Sequence, residues 1–180
     1  MSRFSVFGAA KAAALSAALI LTPAVLAPAM AADHAAHGHA GSMQPADLKI
    51  GDLTITAPWS RATPGGAKVA AGYMQITNHG KSADWLTGGT FSRAARVEIH
   101  EMAMKDGIMT MRPLKDGLEI PPGKTVTLAP GGYHIMFMGL QTPLKEGEDV
   151  TGMLDFKNAG KLDVTYQVRG IAAGHNHAHQ

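Results

Sequence analysis

"HEMAMKDGIMTMRP", residues 100–113, decides how the rest of the chain is read. Asp106-Gly107 at its centre is the strongest short signal for a tight β-hairpin, because both central positions of a type I′ turn need φ above zero. A turn there pairs Met104 with Met109, Met102 with Met111 and Glu101 with Arg112, and sets His100 diagonal to Met111. Period two then puts His100, Met102, Met104, Met109 and Met111 on one face. The Glu101–Arg112 pair falls on the other, where a solvated ion pair belongs.

Outward from this hairpin the same period continues. Apolar stretches at 48–55, 69–78, 85–91, 96–104, 109–114, 125–128, 133–138, 150–156 and 162–168 alternate with Gly, Pro, Asn and Asp turns at short intervals. No segment shows a long, capped amphipathic helix, and no internal repeat is present. Many short strands without parallel-sheet spacing predict an all-β fold, an antiparallel β-sandwich or Greek-key barrel, over 47–172. A single domain of this length buries a sufficient core without disulfide staples.

The ends of the chain differ from this middle. Residues 1–31 carry Arg3 and Lys11 ahead of an apolar run too short to span a bilayer, followed by the small-x-small triplet Ala29-Met30-Ala31. They read as a signal peptide cleaved after Ala31, which predicts an exported protein with no membrane span in its mature form. Cleavage removes two of the 16 basic residues and none of the 14 acidic ones, so the formal charge of +2 falls to zero. With no basic stripe and no aromatic platform, nucleic acid is not an expected partner. Residues 32–46 and 173–180 are short, polar and His-bearing, the first lacking any periodic pattern.

The chain has no cysteine. That removes thiolate nucleophiles, Fe–S clusters, zinc-thiolate sites and thiolate-based blue-copper centres together. Enzymatic readings find no purchase either: there is no G-x-S-x-G elbow and no carboxylate pair stands out. Any metal chemistry falls to His, Met, carboxylates or backbone.

A second cluster, "APGGYHIMFMGL" at 129–140, sharpens this. On a strand, Tyr133, Ile135 and Phe137 share one face and His134, Met136 and Met138 the other. The Tyr/Ile/Phe face is the natural core face, which leaves the His/Met face to be explained. Met is a flexible gap-filler, so a Met-rich face is also what a plain core can look like. A buried imidazole among methionines lacks hydrogen-bond partners, however. Imidazole with thioethers is a donor set that selects Cu(I) over hard cations. The hairpin and this strand together nominate His100, Met111, His134 and Met136 and leave Met102, Met104, Met109 and Met138 open.

His100, ten residues, Met111, twenty-two residues, then His134-x-Met136 resembles the metal motif of the periplasmic copper chaperones of the PCu(A)C type. The segments "VEIHEM" (97–102), "GIMTMRP" (107–113), "LEIPPGKTVTLAPGGYHIMFMGLQTPLKEG" (118–147) and "APWSRATPGG…AAGYMQITN" (57–78) are similar to that family as well, so the resemblance spans about 48–170. It implies a cupredoxin-like β-sandwich holding Cu(I) through His100, Met111, His134 and Met136, with Met102 and Met138 as additional candidates. It also implies a periplasmic, non-enzymatic carrier, expected as a monomer. Its cargo would go to the dinuclear copper centre of the copper-bearing subunit of cytochrome c oxidase, alongside a Sco-like thiol protein.

His34, His37 and His39 at one end and His175, His177 and His179 at the other form short His tracts, whose imidazoles suit Cu(II) better than Cu(I). They are candidate Cu(II) ligands. Elsewhere, His79 reads as an exposed turn residue, Trp59 and Trp85 as core or rim packing, and "APWSRATPGG" as a loop at one end of the sandwich with no chemical role for Arg61.

Overall fold

A computed structural model describes residues 46–174. The predicted signal peptide, nearly all of the 32–46 segment and all six tail histidines lie outside the described residues. Eleven strands run in chain order: β1 Leu48–Ile50, β2 Leu53–Arg61, β3 Val69–Asn78, β4 Asp84–Phe91, β5 Ala94–Lys105, β6 Ile108–Pro113, β7 Leu118–Ile120, β8 Thr125–Leu128, β9 Tyr133–Leu140, β10 Asp149–Phe156 and β11 Gly160–Arg169. Among the described residues there is no helix, and hence none long and apolar enough to cross a membrane.

The strands follow one hydrogen-bonded path, β6-β5-β9-β8-β3-β2-β11-β10-β4-β7, with β1 added to β2 and β9 also paired to β3. That path folds back on itself. Phe91 of β4 and Phe137 of β9 are far apart along it, yet their rings stack at 3.8 Å, with Tyr166 of β11 set edge-on to Phe137 at 5.2 Å. The two layers close over Leu53, Ile55, Ile76, Leu86, Ile120, Ile135, Leu154 and Val168, all buried. Gly72 of β3 shows how tightly this interior is filled: a Cβ there would lie 2.6 Å from the Phe137 ring on the neighbouring strand β9 and 3.0 Å from the Tyr166 ring of β11.

The expected all-β sandwich is what forms, with three differences in detail. The 48–55 stretch is two strands, broken at Gly51-Asp52 where Gly51 takes φ +53°. The expected "APWSRATPGG" loop instead continues β2 as far as Arg61, through a bulge at Ala57 (φ +47°) that shifts the register with β3 between Thr56 and Trp59. A bulge lets a strand absorb one residue and turn without ending. And two pairings are parallel, β11 with β2 and β8 with β9 at Leu128↔Tyr133, where only antiparallel ones were expected. β7, at three residues, was too short to show a period.

Candidate metal centre

The hairpin forms as its sequence predicts. Asp106 and Gly107 take φ +53° and +79°, and the register pairs Met104 with Met109, Met102 with Met111 and Glu101 with Arg112. Arg112 donates to Glu101 at 2.6 Å on the opposite face from the methionines. Pro113, which has no N–H, sits opposite His100 in a non-hydrogen-bonded pair on a sheet edge, where its nitrogen faces away from β5 and no ladder bond is lost.

β5 lies between β6 and β9 and registers them into one grid. Reading across the face, Met104 opposes Met109; Met102 opposes Met111; His100 opposes His134; Glu98 opposes Met136; Arg96 opposes Met138. The sequence brought His100, Met111, His134 and Met136 together only through two separate clusters; the β5–β9 pairing sets His134 opposite His100, with Met111 diagonal to His100 on one side and Met136 diagonal to it on the other. Ala71 of β3 stands opposite Met136 on its far side, a small neighbour beside the thioether.

This face is not the core. Met104, Met109 and Met111 are 64%, 47% and 51% exposed and Met102, Met136 and Met138 are half-buried, so the reading of these methionines as interior filler is overturned. Among the described residues Met74 is the methionine that joins the buried core. The histidines behave differently: both are buried, with ring centroids 5.9 Å apart.

Each imidazole has one nitrogen engaged. His100 Nε2 lies 2.9 Å from Glu98 Oε2, and His134 Nδ1 lies 3.0 Å from the Gly132 carbonyl oxygen. Both partners are acceptors, so in the neutral rings those nitrogens carry the protons and donate. The lone pairs are left on His100 Nδ1 and His134 Nε2. His100 Nδ1 is buried without any hydrogen-bond partner, an arrangement that costs free energy in a protein with nothing to place there. Among the described residues no three His, Cys, Asp or Glu side chains gather into a metal site, so a metal held on this face depends on sulfur. Two imidazole lone pairs with Met111 and Met136 beside them suit a soft d¹⁰ ion, and the donor set fits Cu(I).

Glu98 was not singled out in the sequence. The signal was present, since a residue two before His100 on a strand must share its face. Its carboxyl is held below the usual range, first by the hydrogen bond from His100 and further by the Arg96 guanidinium, whose Nε lies 2.8 Å from Oε1. Arg96 also donates to the Met138 sulfur at 3.3 Å, which sets Met138 apart from the other thioethers as one already engaged.

The remaining candidates fall elsewhere. His79 is exposed and hydrogen-bonds Thr54 at 3.1 Å, as a turn residue should. Trp59 packs on Tyr73 at 4.5 Å and under Arg169, and Trp85 lies under Lys157 at 4.6 Å, both at the rim. Arg61 serves the fold, its Nε donating to the Ala173 carbonyl at 2.7 Å and tying the end of the described chain to β2. A cavity of about 720 Å³ bounded by Leu48, Pro58, Thr90, Met153 and Thr165 shares no lining residue with β5, β6 or β9 and brings no set of ligating groups together.

The family described as "Putative lipoprotein LpqE-like" matches residues 53–168, well over half the chain. The chain belongs to the LpqE-like family. It is 34% identical over 118 residues to the putative lipoprotein Lxx21020 of Leifsonia xyli subsp. xyli, covering 66% of this chain and 70% of that one. Among solved structures, this LpqE-like chain is similar to the copper-bound PCuAC domain from PmoF2, with 26% identity, a TM-score of 0.60 and coverage of 69% of this chain and 98% of that one. It is similar as well to Cu(I)-DR1885 from Deinococcus radiodurans, at 28% identity and a TM-score of 0.54, covering 72% and 83% of the two chains. The fold of this LpqE-like chain is therefore the cupredoxin-like β fold of PCuAC domains.

Proposed function

We propose that the protein is an exported, non-enzymatic copper chaperone that carries Cu(I) on the β6-β5-β9 face. The observation that carries this reading is the opposed pair His100 and His134, whose free nitrogens include a buried, unpartnered Nδ1 beside a row of thioethers. Similarity to a PCuAC domain solved with copper and to Cu(I)-DR1885 supports it. His100 Nδ1, His134 Nε2, Met111 and Met136 are the ligands, and Met102, opposite Met111, is placed to substitute for a departing sulfur. Copper is the cargo. All four ligands are neutral, so copper can be received and released without moving a proton on the thioethers, one ligand leaving as an acceptor's arrives.

The recipient we assign is the dinuclear copper centre of cytochrome c oxidase in the periplasm. A cysteine-free carrier supplies no reducing equivalents, so the acceptor's thiols would be kept reduced by a Sco-like partner. The His tracts at 34–39 and 175–179 are assigned to Cu(II), and deleting 173–180 should lower the number of Cu(II) ions bound.

The test is an anaerobic competition titration of the mature protein with Cu(I) against a chromophoric chelator, alongside His100→Ala and Met111→Leu. One tight Cu(I) that weakens in both variants establishes the site. Equal, weak binding in all three would refute it. Transfer from the loaded protein to the oxidase copper domain then separates delivery from mere sequestration.

A further inference from the structure

The hairpin holds two thioethers that the proposed ligand set leaves unused. Met104 and Met109 oppose each other one rung beyond Met102 and Met111, on the same face. β9 does not reach them, because its pairing with β5 stops at Glu101↔Tyr133, and they are 64% and 47% exposed. On the hairpin every exposed large apolar side chain of this face is a thioether: Met104, Met109 and Met111. A surface selected only for strand formation would favour β-branched or aromatic residues, and exposed apolar patches on soluble proteins usually mark a site of interaction.

The ladder brings the sulfurs within reach of one ion. The Met102 N–H donates to the Gly132 carbonyl at 3.1 Å and so points away from β6. Alternation along an antiparallel ladder then makes both Met102–Met111 and Met104–Met109 non-hydrogen-bonded pairs, the kind with Cα atoms about 4.5 Å apart and side chains closest. Two unbranched side chains with free torsions at that spacing can converge on a single soft cation.

We propose that Met104 and Met109 form a second, weaker Cu(I) site at the hairpin tip, through which copper enters and leaves the inner site; this rests on the inner site being the Cu(I) site proposed above. Exchange proceeds rung by rung. Bonds from copper to the Met104 and Met109 sulfurs form as the bonds to His100, His134 and Met136 break, with Met102 and Met111 bridging the two positions. Copper stays Cu(I) throughout, both electrons of each bond remain with the sulfur or nitrogen donor, and no proton is transferred. With only two uncharged donors facing water, the outer site binds more weakly than the inner one and so does not trap the cargo.

The experiment follows the methionine methyl groups of the full mature protein by NMR during anaerobic Cu(I) addition, in wild type and in Met104→Leu/Met109→Leu. Per-residue signals separate this site from the His tracts. The first equivalent should move Met111 and Met136, and further copper should move Met104 and Met109. Release to an excess of small-molecule chelator should be at least tenfold slower in the double variant, with inner-site affinity unchanged within twofold. Methyl signals of Met104 and Met109 that stay put through several equivalents overturn the outer site. Signals that move while release rates stay equal overturn its place on the exchange route. If instead Met111 and Met136 never move, the inner-site reading fails, and that outcome is read from different signals. Both substituted residues are exposed and Leu conserves their bulk, so the variant keeps its fold; unchanged dispersion of the remaining signals verifies it.

Discussion

The two sides of β9 differ more than any two separate regions of the molecule. On one, Ile135 and Phe137 are 1% and 0% exposed, and Phe137 is held between the rings of Phe91 and Tyr166. On the other, one residue along each time, stand His134, Met136 and Met138, with a nitrogen or sulfur at every position. Pleating lets a single backbone separate two demands: burial on one side fixes the strand, and the opposite side is free to be chosen for its donor atoms. Damage to one side should therefore leave the other's property largely intact.

The largest effect should come from the packed side. Phe137→Ala removes a fully buried ring and should cost about 3–5 kcal/mol in urea unfolding. Cu(I) affinity of the remaining folded protein should be little changed, and a proportionate loss of both would erase the distinction between the two sides. Next, and from the donor side, Glu98→Ala should weaken Cu(I) binding about 10–100-fold, the usual effect of removing a group that orients a ligating histidine. Glu98→Gln, which keeps an acceptor for His100 Nε2, should recover much of that loss, whereas a merely structural Glu98 would show no difference between the two variants.

A smaller change should follow at the turn that sets the hairpin's register. Gly107→Ala places a side chain at φ +79° and should cost about 1–2 kcal/mol in thermal or urea unfolding. The smallest concerns neither side of β9. Glu148 is held below its ordinary 4.5, first by the hydrogen bond from Arg93 and then by the Lys145 amide. A carboxylate depressed on folding adds stability above its unfolded pKa that is lost as pH falls through the folded one. Glu148→Gln should thus flatten the acid limb of stability below about pH 4.5 and leave Cu(I) affinity at neutral pH unaltered.

Much of this was legible because the informative residues lay within short range. Asp106-Gly107 fixes a register by local turn chemistry, so Met102–Met111 and Met104–Met109 could be paired from sequence. The inward side of β9 announced itself by Tyr133, Ile135 and Phe137. What sequence could not show was which strands lie side by side: that β9 pairs with β5, and so sets His134 opposite His100, is a long-range fact no local pattern encodes. The parallel β11–β2 pairing was hidden for the same reason. Exposure of the methionines was also out of reach, because Met suits an interior and a surface donor site equally well. Ala57 concealed the length of β2, since a bulge at an Ala-Pro step reads as a turn.

β6 is joined to the sheet through β5 alone, while the proposed donors come from β6, β5 and β9. An ion shared by Met111 and His134 spans the middle strand and fastens the edge strand to the third. On the proposed site, amide exchange over residues 108–113 should slow on Cu(I) loading. If the proposed site is the Cu(I) site, the stiffness of that edge would then report whether copper is bound.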